Sequence, residues 1–238
     1  CTRMKTDGGS DAAKRRAGER AAEDVENGDV VGLGTGSTTA HAIRALGRAV
    51  DDGLEIRGIP TSFQSRRLAL EAGIPLTDLD TVDGVDIAID GADQVVDDPD
   101  TAAHGALIKG GGAAHAREKL VDSAADRFLV VADPSKLTDR LERSVPVEVL
   151  PDAHTVAANR VQELGGEPTL RDAERKDGPV VTDNGNLVLD CTFGRIDDPD
   201  GLATRLSAIP GVVEHGLFVG LADVAYVGRE DGVERREY

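Results

Sequence analysis

A lysine, three consecutive glycines and a glutamate lie close together in the sequence and could carry out acid–base chemistry. Lys109 precedes Gly110, Gly111 and Gly112, and Glu118 follows them on a predicted helix. Glycines have no side chains that hold a ligand away and can adopt positive φ, so their N–H groups can approach bound oxygen atoms. A helix that begins just after the glycines places Glu118 in its second turn. We therefore expect a cation and a candidate base to face one small polar molecule.

The elements that must position these residues alternate between helical and strand-like patterns over residues 11–133. Strands separated by helices indicate parallel pairing in a doubly wound sheet. The predicted strands cover residues 30–33, 54–59, 86–89, 106–108 and 128–132. The predicted helices cover residues 11–27, 39–50, 64–72 and 117–123. We therefore predict an α/β fold with a Rossmann-like, mostly parallel sheet.

The pattern changes near residue 145, where the order of elements becomes βαββαβ. Asn184-Gly185 lies between two apolar runs and is a strong signal for a two-residue hairpin turn. This order predicts a second, smaller, ferredoxin-like α+β domain inserted near the C-terminus. We expect a Rossmann-like catalytic domain of residues 1–142 and 218–238, and a small domain of residues 143–217.

Polar or glycine-rich segments follow four of the predicted strands. The carboxyl ends of parallel strands form the edge of a sheet at which ligands bind. The segment at residues 34–38, Gly-Thr-Gly-Ser-Thr, also precedes a helix, whose first N–H groups and dipole favour a phosphate. The other three segments are residues 90–93, Lys109 with its glycines, and residues 133–136.

Each of these motifs alone has a structural explanation. Ser37 or Thr38 could cap the following helix, Asp90 and Asp93 could be turn residues, and Glu118 could lie on a solvated helix face. The first segment is neither a dinucleotide fingerprint nor a P-loop, because a third glycine and a Gly-Lys pair are missing. We interpret the histidines as surface or structural residues, Cys191 as a small buried hydrophobe, and Thr61-Ser62 as a helix cap.

The composition excludes several classes of partner. The chain has 238 residues, with 44 acidic and 27 basic side chains and a net charge of −17. Nucleic acids and anionic membranes both bind accumulated positive charge, so neither is an expected partner. Only six of the basic residues are lysines, and an acidic surface with little lysine resembles proteins from salt-loving organisms. A strongly acidic mesophilic protein is the alternative.

We expect stability and activity to rise in molar KCl. At about 1 M salt the Debye length is roughly 3 Å, so repulsion among the acidic side chains is largely screened. The midpoint of thermal unfolding and the turnover rate, measured from dilute buffer to molar KCl, check this expectation. Equal stability across the series would contradict a halophilic adaptation.

Cysteine usage and hydropathy indicate the cellular compartment. Cys1 and Cys191 form neither a disulfide framework nor part of a metal-ligand cluster. The sequence has no apolar stretch of the ~18 residues that a membrane span needs, and no signal-peptide core. These features predict a cytoplasmic protein. Met4 is a candidate natural start, in which case residues 1–3 are not native.

In combination, the four segments resemble the type A ribose-5-phosphate isomerases. Residues 34–38, 90–93, 109–112 with 117–119, and 133–136 match that family in order and spacing, and the resemblance extends from residue 14 to residue 227, including residues 209–218. There are two departures. Gln94 stands where many members have a glutamate, and His115 stands where several have an uncharged residue.

The resemblance implies interconversion of D-ribose 5-phosphate and D-ribulose 5-phosphate through a cis-enediolate. Glu118 is then the base that moves a proton between C2 and C1, Asp90 opens the furanose ring, and Lys109 with the glycine N–H groups stabilises the enediolate. The catalytic residues implied are Glu118, Asp90 and Lys109. The substrate-binding residues implied are Thr35, Gly36, Ser37, Thr38, Asp90, Gly91, Ala92, Asp93, Lys109, Gly110, Gly111, Gly112, Lys136 and Lys14.

The expected partner is a small sugar phosphate, and we expect no metal, no other cofactor, no nucleic acid and no membrane. The resemblance also favours a homodimer or homotetramer. One rival is a sugar-phosphate-sensing module on a related fold, which binds without converting its ligand. Another is a different enzyme on the same scaffold, such as an amino-sugar-phosphate isomerase or an acyl-CoA transferase.

Overall fold

A computed structural model of the chain describes residues 10–238, so the interpretations of Cys1 and Met4 fall outside the described residues. The helices are α1 (Asp11–Ala22), α2 (Thr39–Asp51), α3 (Phe63–Glu71), α4 (His115–Asp122), α5 (His154–Glu163) and α6 (Pro199–Ser207). The strands are β1 (Val30–Leu33), β2 (Arg57–Pro60), β3 (Val85–Gly91), β4 (Gln94–Val96), β5 (Leu107–Ile108), β6 (Ala125–Ala132), β7 (Leu137–Thr138), β8 (Val145–Val149), β9 (Glu167–Leu170), β10 (Leu187–Thr192), β11 (Val212–His215), β12 (Leu217–Phe218), β13 (Val224–Gly228) and β14 (Val233–Glu237).

The chain forms two compact units. Of the described residues, the first unit contains 10–92, 117–137 and 221–238, and the second contains 93–116 and 138–220. Residues 93–116 therefore pack with the second unit, whereas the sequence-based division placed them in the first domain. The sequence-based division into domains of residues 1–142 with 218–238 and residues 143–217 stays a prediction.

The first unit contains a six-stranded sheet in the order β14-β13-β6-β3-β1-β2. All of its neighbouring strands are parallel except β14, which runs antiparallel to β13. Successive side chains of a strand point to opposite faces. Accordingly, Val31 packs into a core cluster with Ala42 and Leu46 of α2, whereas Val30 packs into a separate cluster with Val121 of α4. The predicted doubly wound, mostly parallel sheet is confirmed.

The second unit contains an antiparallel sheet in the order β11-β8-β10-β9, together with α5 and α6. Val145, Val147 and Val149 are alternate residues of β8 and pack with Leu202 and Leu206 of α6, while the whole strand is buried. The predicted βαββαβ order is therefore confirmed.

The fourth predicted strand exists as β5, but its predicted parallel pairing is wrong. β5 pairs antiparallel with β4 and with β12, in a separate small sheet of the second unit. Parallel pairing needs a crossover of a dozen or more residues, usually a helix, and no helix lies between β4 and β5. Lys109, which follows β5, therefore does not belong to the edge of the parallel sheet.

Two local predictions also need correction. Ala113 has a φ of 59°, in the left-handed region that no helix interior uses, so α4 begins at His115 and Glu118 lies in its first turn rather than its second. In the hairpin, the Gly185 N–H donates to the Thr182 carbonyl at 2.9 Å, so the central turn residues are Asp183 and Asn184. Gly185 follows them with a φ of +84°, as in a three-residue loop with a bulge.

Within residues 10–238, none of the helices has both the length and the apolar character needed to cross a bilayer.

Candidate active site

Three of the predicted site segments lie at one edge of the parallel sheet in the first unit. β1 leads into residues 34–38, β3 ends at Asp90 and Gly91, and β6 leads into residues 133–136. These strands are parallel neighbours in the order β6-β3-β1. Their carboxyl ends therefore meet, as the sequence predicts, at the position where parallel sheets bind ligands.

The turn at residues 34–38 is shaped for a close approach to its neighbours. A side chain at Gly34 would overlap the Asp90 carboxylate, and Gly36 has a φ of +126°. The predicted alternative, in which Thr38 caps α2, is not realised, because the Thr38 side chain makes no capping hydrogen bond. The first N–H groups of a helix have no intrahelical partners, so this turn presents donors suited to an anion.

Asp90 lies behind this turn and is fully buried. Its Oδ1 accepts the N–H of Thr35 at 3.0 Å and the N–H of Gly91 at 2.7 Å. A carboxylate that accepts two backbone donors fixes the local backbone, so Asp90 holds the turn against the end of β3. Its role in ring opening stays a prediction.

Thr35 is directed toward the protein rather than away from it. Its hydroxyl donates to Ser62 Oγ at 2.6 Å and lies 3.0 Å from Thr61 Oγ1. Ser62 also caps α3 through a bond from the Ser65 N–H, which confirms the predicted cap. The N–H and the hydroxyl of Thr35 both have protein partners. The remaining candidate donors of this turn to a phosphate are therefore on Gly36, Ser37 and Thr38, and substrate contact by Thr35 stays a prediction.

Lys14 is suited to a role beside this turn. It lies in α1 and is only 2% exposed. Gly18, one turn later on the same face of α1, lies so close to the start of α2 that an added Cβ would sit 2.8 Å from the Thr38 carbonyl oxygen. A buried ammonium group is costly without an anionic partner, and a phosphate in the turn would supply one.

Lys136 ends a short 3-10 helix after β6, which Asp133 caps by accepting the Ser135 N–H at 2.9 Å. Asp133 is fully buried, whereas Lys136 is half-buried. The segment thus holds Lys136 at the carboxyl edge, where a substrate contact is predicted.

Glu118 does not lie on a solvated helix face. It is only 4% exposed, whereas the neighbouring Arg117 is exposed. Val121, three residues later on the same side of α4, packs against β1, where an added Cβ at Gly32 would lie 2.7 Å from its methyl carbon. Carboxylates are rarely buried unless they are paired, so this position excludes the alternative in which Glu118 is a solvated surface residue, and its catalytic role stays a prediction.

In the second unit, the backbone and side chain of Lys109 are both held in place. Its N–H donates to the Gly216 carbonyl at 2.8 Å, and its Nζ lies 5.2 Å from the centre of the Phe218 ring. A cation over an aromatic face is attracted by the ring electrons. The residue is only 2% exposed.

The three glycines differ in what they do. Only Gly110 has positive φ, at +101°, and an added Cβ would lie 2.7 Å from the His115 ring, which is fully buried. The Gly111 N–H donates to Asp93 Oδ2 at 2.8 Å. The Gly111 N–H thus has a side-chain partner within the protein, and the predicted approach of the glycine N–H groups to bound oxygen atoms stays a prediction. The predicted contact of Asp93 with substrate hydroxyls remains untested.

Comparison with known proteins identifies the family. Residues 57–232 match the sequence profile described as Ribose 5-phosphate isomerase A (phosphoriboisomerase A). The ribose-5-phosphate isomerase A of Halorubrum lacusprofundi is 70% identical over 235 residues, covering 97% of this chain and 98% of the relative. The chain belongs to the ribose 5-phosphate isomerase A family.

Solved structures of ribose 5-phosphate isomerases share the fold. The enzyme of Methanocaldococcus jannaschii is 44% identical, with a TM-score of 0.89 over 95% of this chain and 98% of that one. A D-ribose-5-phosphate isomerase in complex with phospho-erythronic acid is 42% identical, with a TM-score of 0.91 over 97% and 100% of the two chains. The relative from Halorubrum lacusprofundi belongs to a halophilic archaeon, in agreement with the acidic composition.

One departure from the ribose 5-phosphate isomerase A pattern has a simple explanation. The side-chain oxygen of Gln94 accepts the N–H groups of Glu142 and Arg143, both at 2.9 Å. An amide oxygen and a carboxylate oxygen both accept hydrogen bonds. Gln94 therefore supplies an acceptor for these two N–H groups without a charge.

Two side chains to which the sequence assigned no role contact predicted site residues of this isomerase. Phe218 lies in a segment that carried the family resemblance but was given no role, and Arg171, which directly follows β9, contacts the glycine loop from far along the chain. No local spacing connects these positions with residues 109–112, so only the folded chain reveals them.

Among residues 10–238 no group of three or more His, Cys, Asp or Glu side chains is placed to hold a metal ion. Cys191 is fully buried, which confirms its interpretation as a small hydrophobe. Desolvation by burial, with a smaller effect from Asp190, raises the pKa of the Cys191 thiol to about 12.

Proposed function

We propose that the protein interconverts D-ribose 5-phosphate and D-ribulose 5-phosphate through a cis-enediolate, with Glu118 as the base. Within the ribose 5-phosphate isomerase A family, the observation that carries this assignment is the burial of Glu118 at the first turn of α4. Burial removes the water that competes for a base and keeps the carboxylate in one place. The relative that holds phospho-erythronic acid supports the intermediate, because a planar carboxylate beside a hydroxylated carbon imitates an enediolate.

The proton transfer needs one carboxylate. Glu118 takes the proton from C2 of the open-chain aldose, and the electron pair of that C–H bond forms the C1–C2 double bond as the C1 carbonyl oxygen gains negative charge. The proton then returns from Glu118 to C1, while the hydroxyl proton on O2 passes to O1 and the C2 carbonyl forms. A single base can serve both carbons because they are adjacent.

Lys109 is proposed to stabilise the negative charge on the enediolate oxygens. A fixed ammonium group and preorganised N–H donors are effective where charge develops, because they need not reorganise during the reaction. The backbone bond to Gly216 and the ring of Phe218 hold Lys109 in place. Asp90 is proposed to assist ring opening, and Asp93 to hold hydroxyl groups.

The substrate phosphate is proposed to bind at Gly36, Ser37 and Thr38, with Lys14 and Lys136 as counter-charges. We expect Thr38→Ala to raise KM by about tenfold or more and to leave kcat within about twofold, because it removes one hydrogen bond to a charged group that does not react. Steady-state kinetics check this expectation. Thr204→Ala, at an exposed position of α6, is the control. A loss confined to kcat would mean that Thr38 acts on the reacting carbons.

The function itself is tested by following ketose formation from D-ribose 5-phosphate, in molar KCl and in the presence of a chelator. Glucosamine 6-phosphate and a CoA ester are assayed in parallel. We expect turnover of the pentose phosphate alone. Saturable binding of D-ribose 5-phosphate without turnover would identify a sensing module, and turnover of either alternative substrate would identify another enzyme on this scaffold.

The cellular setting follows from the same proposal. A doubly charged sugar phosphate does not cross an apolar bilayer unaided, so we propose that the protein works in the cytoplasm, where such substrates are retained. A homodimer or homotetramer stays a prediction, which light scattering on the purified protein in molar KCl checks.

A further inference from the structure

Arg171 makes an unusual set of contacts within the second unit. It follows β9, and its Nε and Nη2 donate to the two carboxylate oxygens of Asp190 on β10, at 2.8 and 2.5 Å. Such a two-pronged pair fixes the plane of the guanidinium group as well as its position. The remaining nitrogen, Nη1, donates to the carbonyl oxygens of Gly110 at 3.0 Å and Gly111 at 3.3 Å.

These contacts determine how two peptide groups of the glycine loop are oriented. In a trans peptide group the C=O and the following N–H point in opposite directions. The Gly110 carbonyl bonds to Arg171, and the N–H of the same peptide group, on Gly111, bonds to Asp93. The Gly111 carbonyl also bonds to Arg171, so the N–H of Gly112 points away from the guanidinium group.

A positive charge beside the carbonyl oxygen of a peptide group also changes how strongly the N–H of that group donates. A guanidinium bound to a carbonyl oxygen polarises the whole peptide group, which makes the attached N–H a stronger hydrogen-bond donor. Arg171 is placed to do this for the Gly111–Gly112 peptide group, whose N–H belongs to Gly112. Gly111 and Gly112 are both exposed, and the loop is held by these bonds together with the Ala113 N–H, which donates to the Gly110 carbonyl at 3.0 Å.

We propose that Arg171, held by Asp190, is a positioning residue for the isomerisation. It orients and polarises the Gly111–Gly112 peptide group so that the Gly112 N–H donates to the enediolate oxygen. This inference rests on the proposed role of the glycine loop in stabilising that intermediate. Arg171 itself touches no reacting atom.

The test compares Arg171→Lys with Arg140→Lys. Arg140 belongs to the same unit and pairs with Asp197 at 2.7 Å, but this pair is exposed. Lysine keeps the charge and loses the planar fork. We expect Arg171→Lys to lower kcat by about tenfold to a hundredfold, as small misplacements of catalytic groups do, with KM within about twofold. Arg140→Lys should retain the kcat of the unsubstituted protein.

Two further measurements separate positioning from stability. Affinity for phospho-erythronic acid should fall by about the same factor as kcat/KM in Arg171→Lys, since an intermediate analogue uses the same donor. Hydrogen exchange of the peptide that covers residues 110–113 should accelerate. Asp190→Asn keeps Arg171 but weakens its anchor, so it should lower kcat by less than Arg171→Lys does. It also tests the proposal if Arg171→Lys does not fold.

The outcomes are distinguishable. If the unsubstituted protein turns over D-ribose 5-phosphate but Arg171→Lys and Asp190→Asn keep its kcat and analogue affinity, the positioning role is overturned. A lowered unfolding midpoint with unchanged kcat in the folded variants also overturns it, because it shows a purely structural role. If the unsubstituted protein has no turnover, the proposed function fails instead.

Discussion

We expect Glu118→Gln to lower kcat by at least about 10²–10⁴-fold, the usual contribution of a general base, with a much smaller change in KM. Glutamine has nearly the shape of glutamate, so the substitution removes the basic oxygen and little else. Because Glu118 is nearly buried on α4, water has little room to replace it as the base. Steady-state kinetics in molar KCl measure the loss, and exchange of the C2 proton in heavy water should disappear with it.

The matched control for this variant is Glu148→Gln. Glu148 is also buried, and its Oε1 accepts bonds from Thr182, Asn184 and Asn186, so the control removes a buried carboxylate from a structural network. It should change the unfolding midpoint more than kcat. If Glu118→Gln retained near-normal kcat and proton exchange, Glu118 would no longer be a candidate for the base.

Lys109→Met is expected to have the next largest effect, a loss of about 10²–10³-fold in kcat, comparable to removal of one oxyanion donor. Methionine retains the apolar length of the side chain, which packs near Phe218, and removes the ammonium group. Lys109→Arg should not restore activity, because a planar fork differs from a compact charge in shape and in the direction of its donors.

Lys176→Met is the control for loss of a lysine, since Lys176 is exposed in the same unit. The split between kcat and KM decides the role of Lys109. A raised KM with unchanged kcat would show that Lys109 binds the ground state, for example through hydroxyl groups, and does not stabilise the enediolate.

Most of the fold could be predicted because its signals are local. β1 and the start of β8 are short buried runs rich in valine, and glycines and polar residues separate the elements. The partners of β5 could not be predicted in this way, because a two-residue strand has no periodicity and its pairing depends on segments far along the chain. The start of α4 was missed because the left-handed conformation of Ala113 has no signal in its residue type.

The candidate site was predictable in its residue types but less so in its contacts. Asp90 and Lys109 follow predicted strands, and Glu118 follows the glycine loop on a predicted helix. Each has an ordinary structural explanation alone, and only their combination indicated a site. The bonds from Thr35 and Gly91 to Asp90, and from Arg171 to the loop, join residues from different segments. Long-range geometry of this kind is fixed only when the chain folds.

The space at Gly34, which the Asp90 carboxylate occupies, has a consequence for how this sequence can diverge. A side chain at position 34 cannot be accommodated while position 90 holds an aspartate, and a smaller residue at position 90 leaves the Thr35 N–H without its acceptor. The residues at positions 34 and 90 are therefore structurally coupled. We expect position 34 to accept a side chain only together with a smaller residue at position 90, which would also have to leave the Thr35 N–H another acceptor.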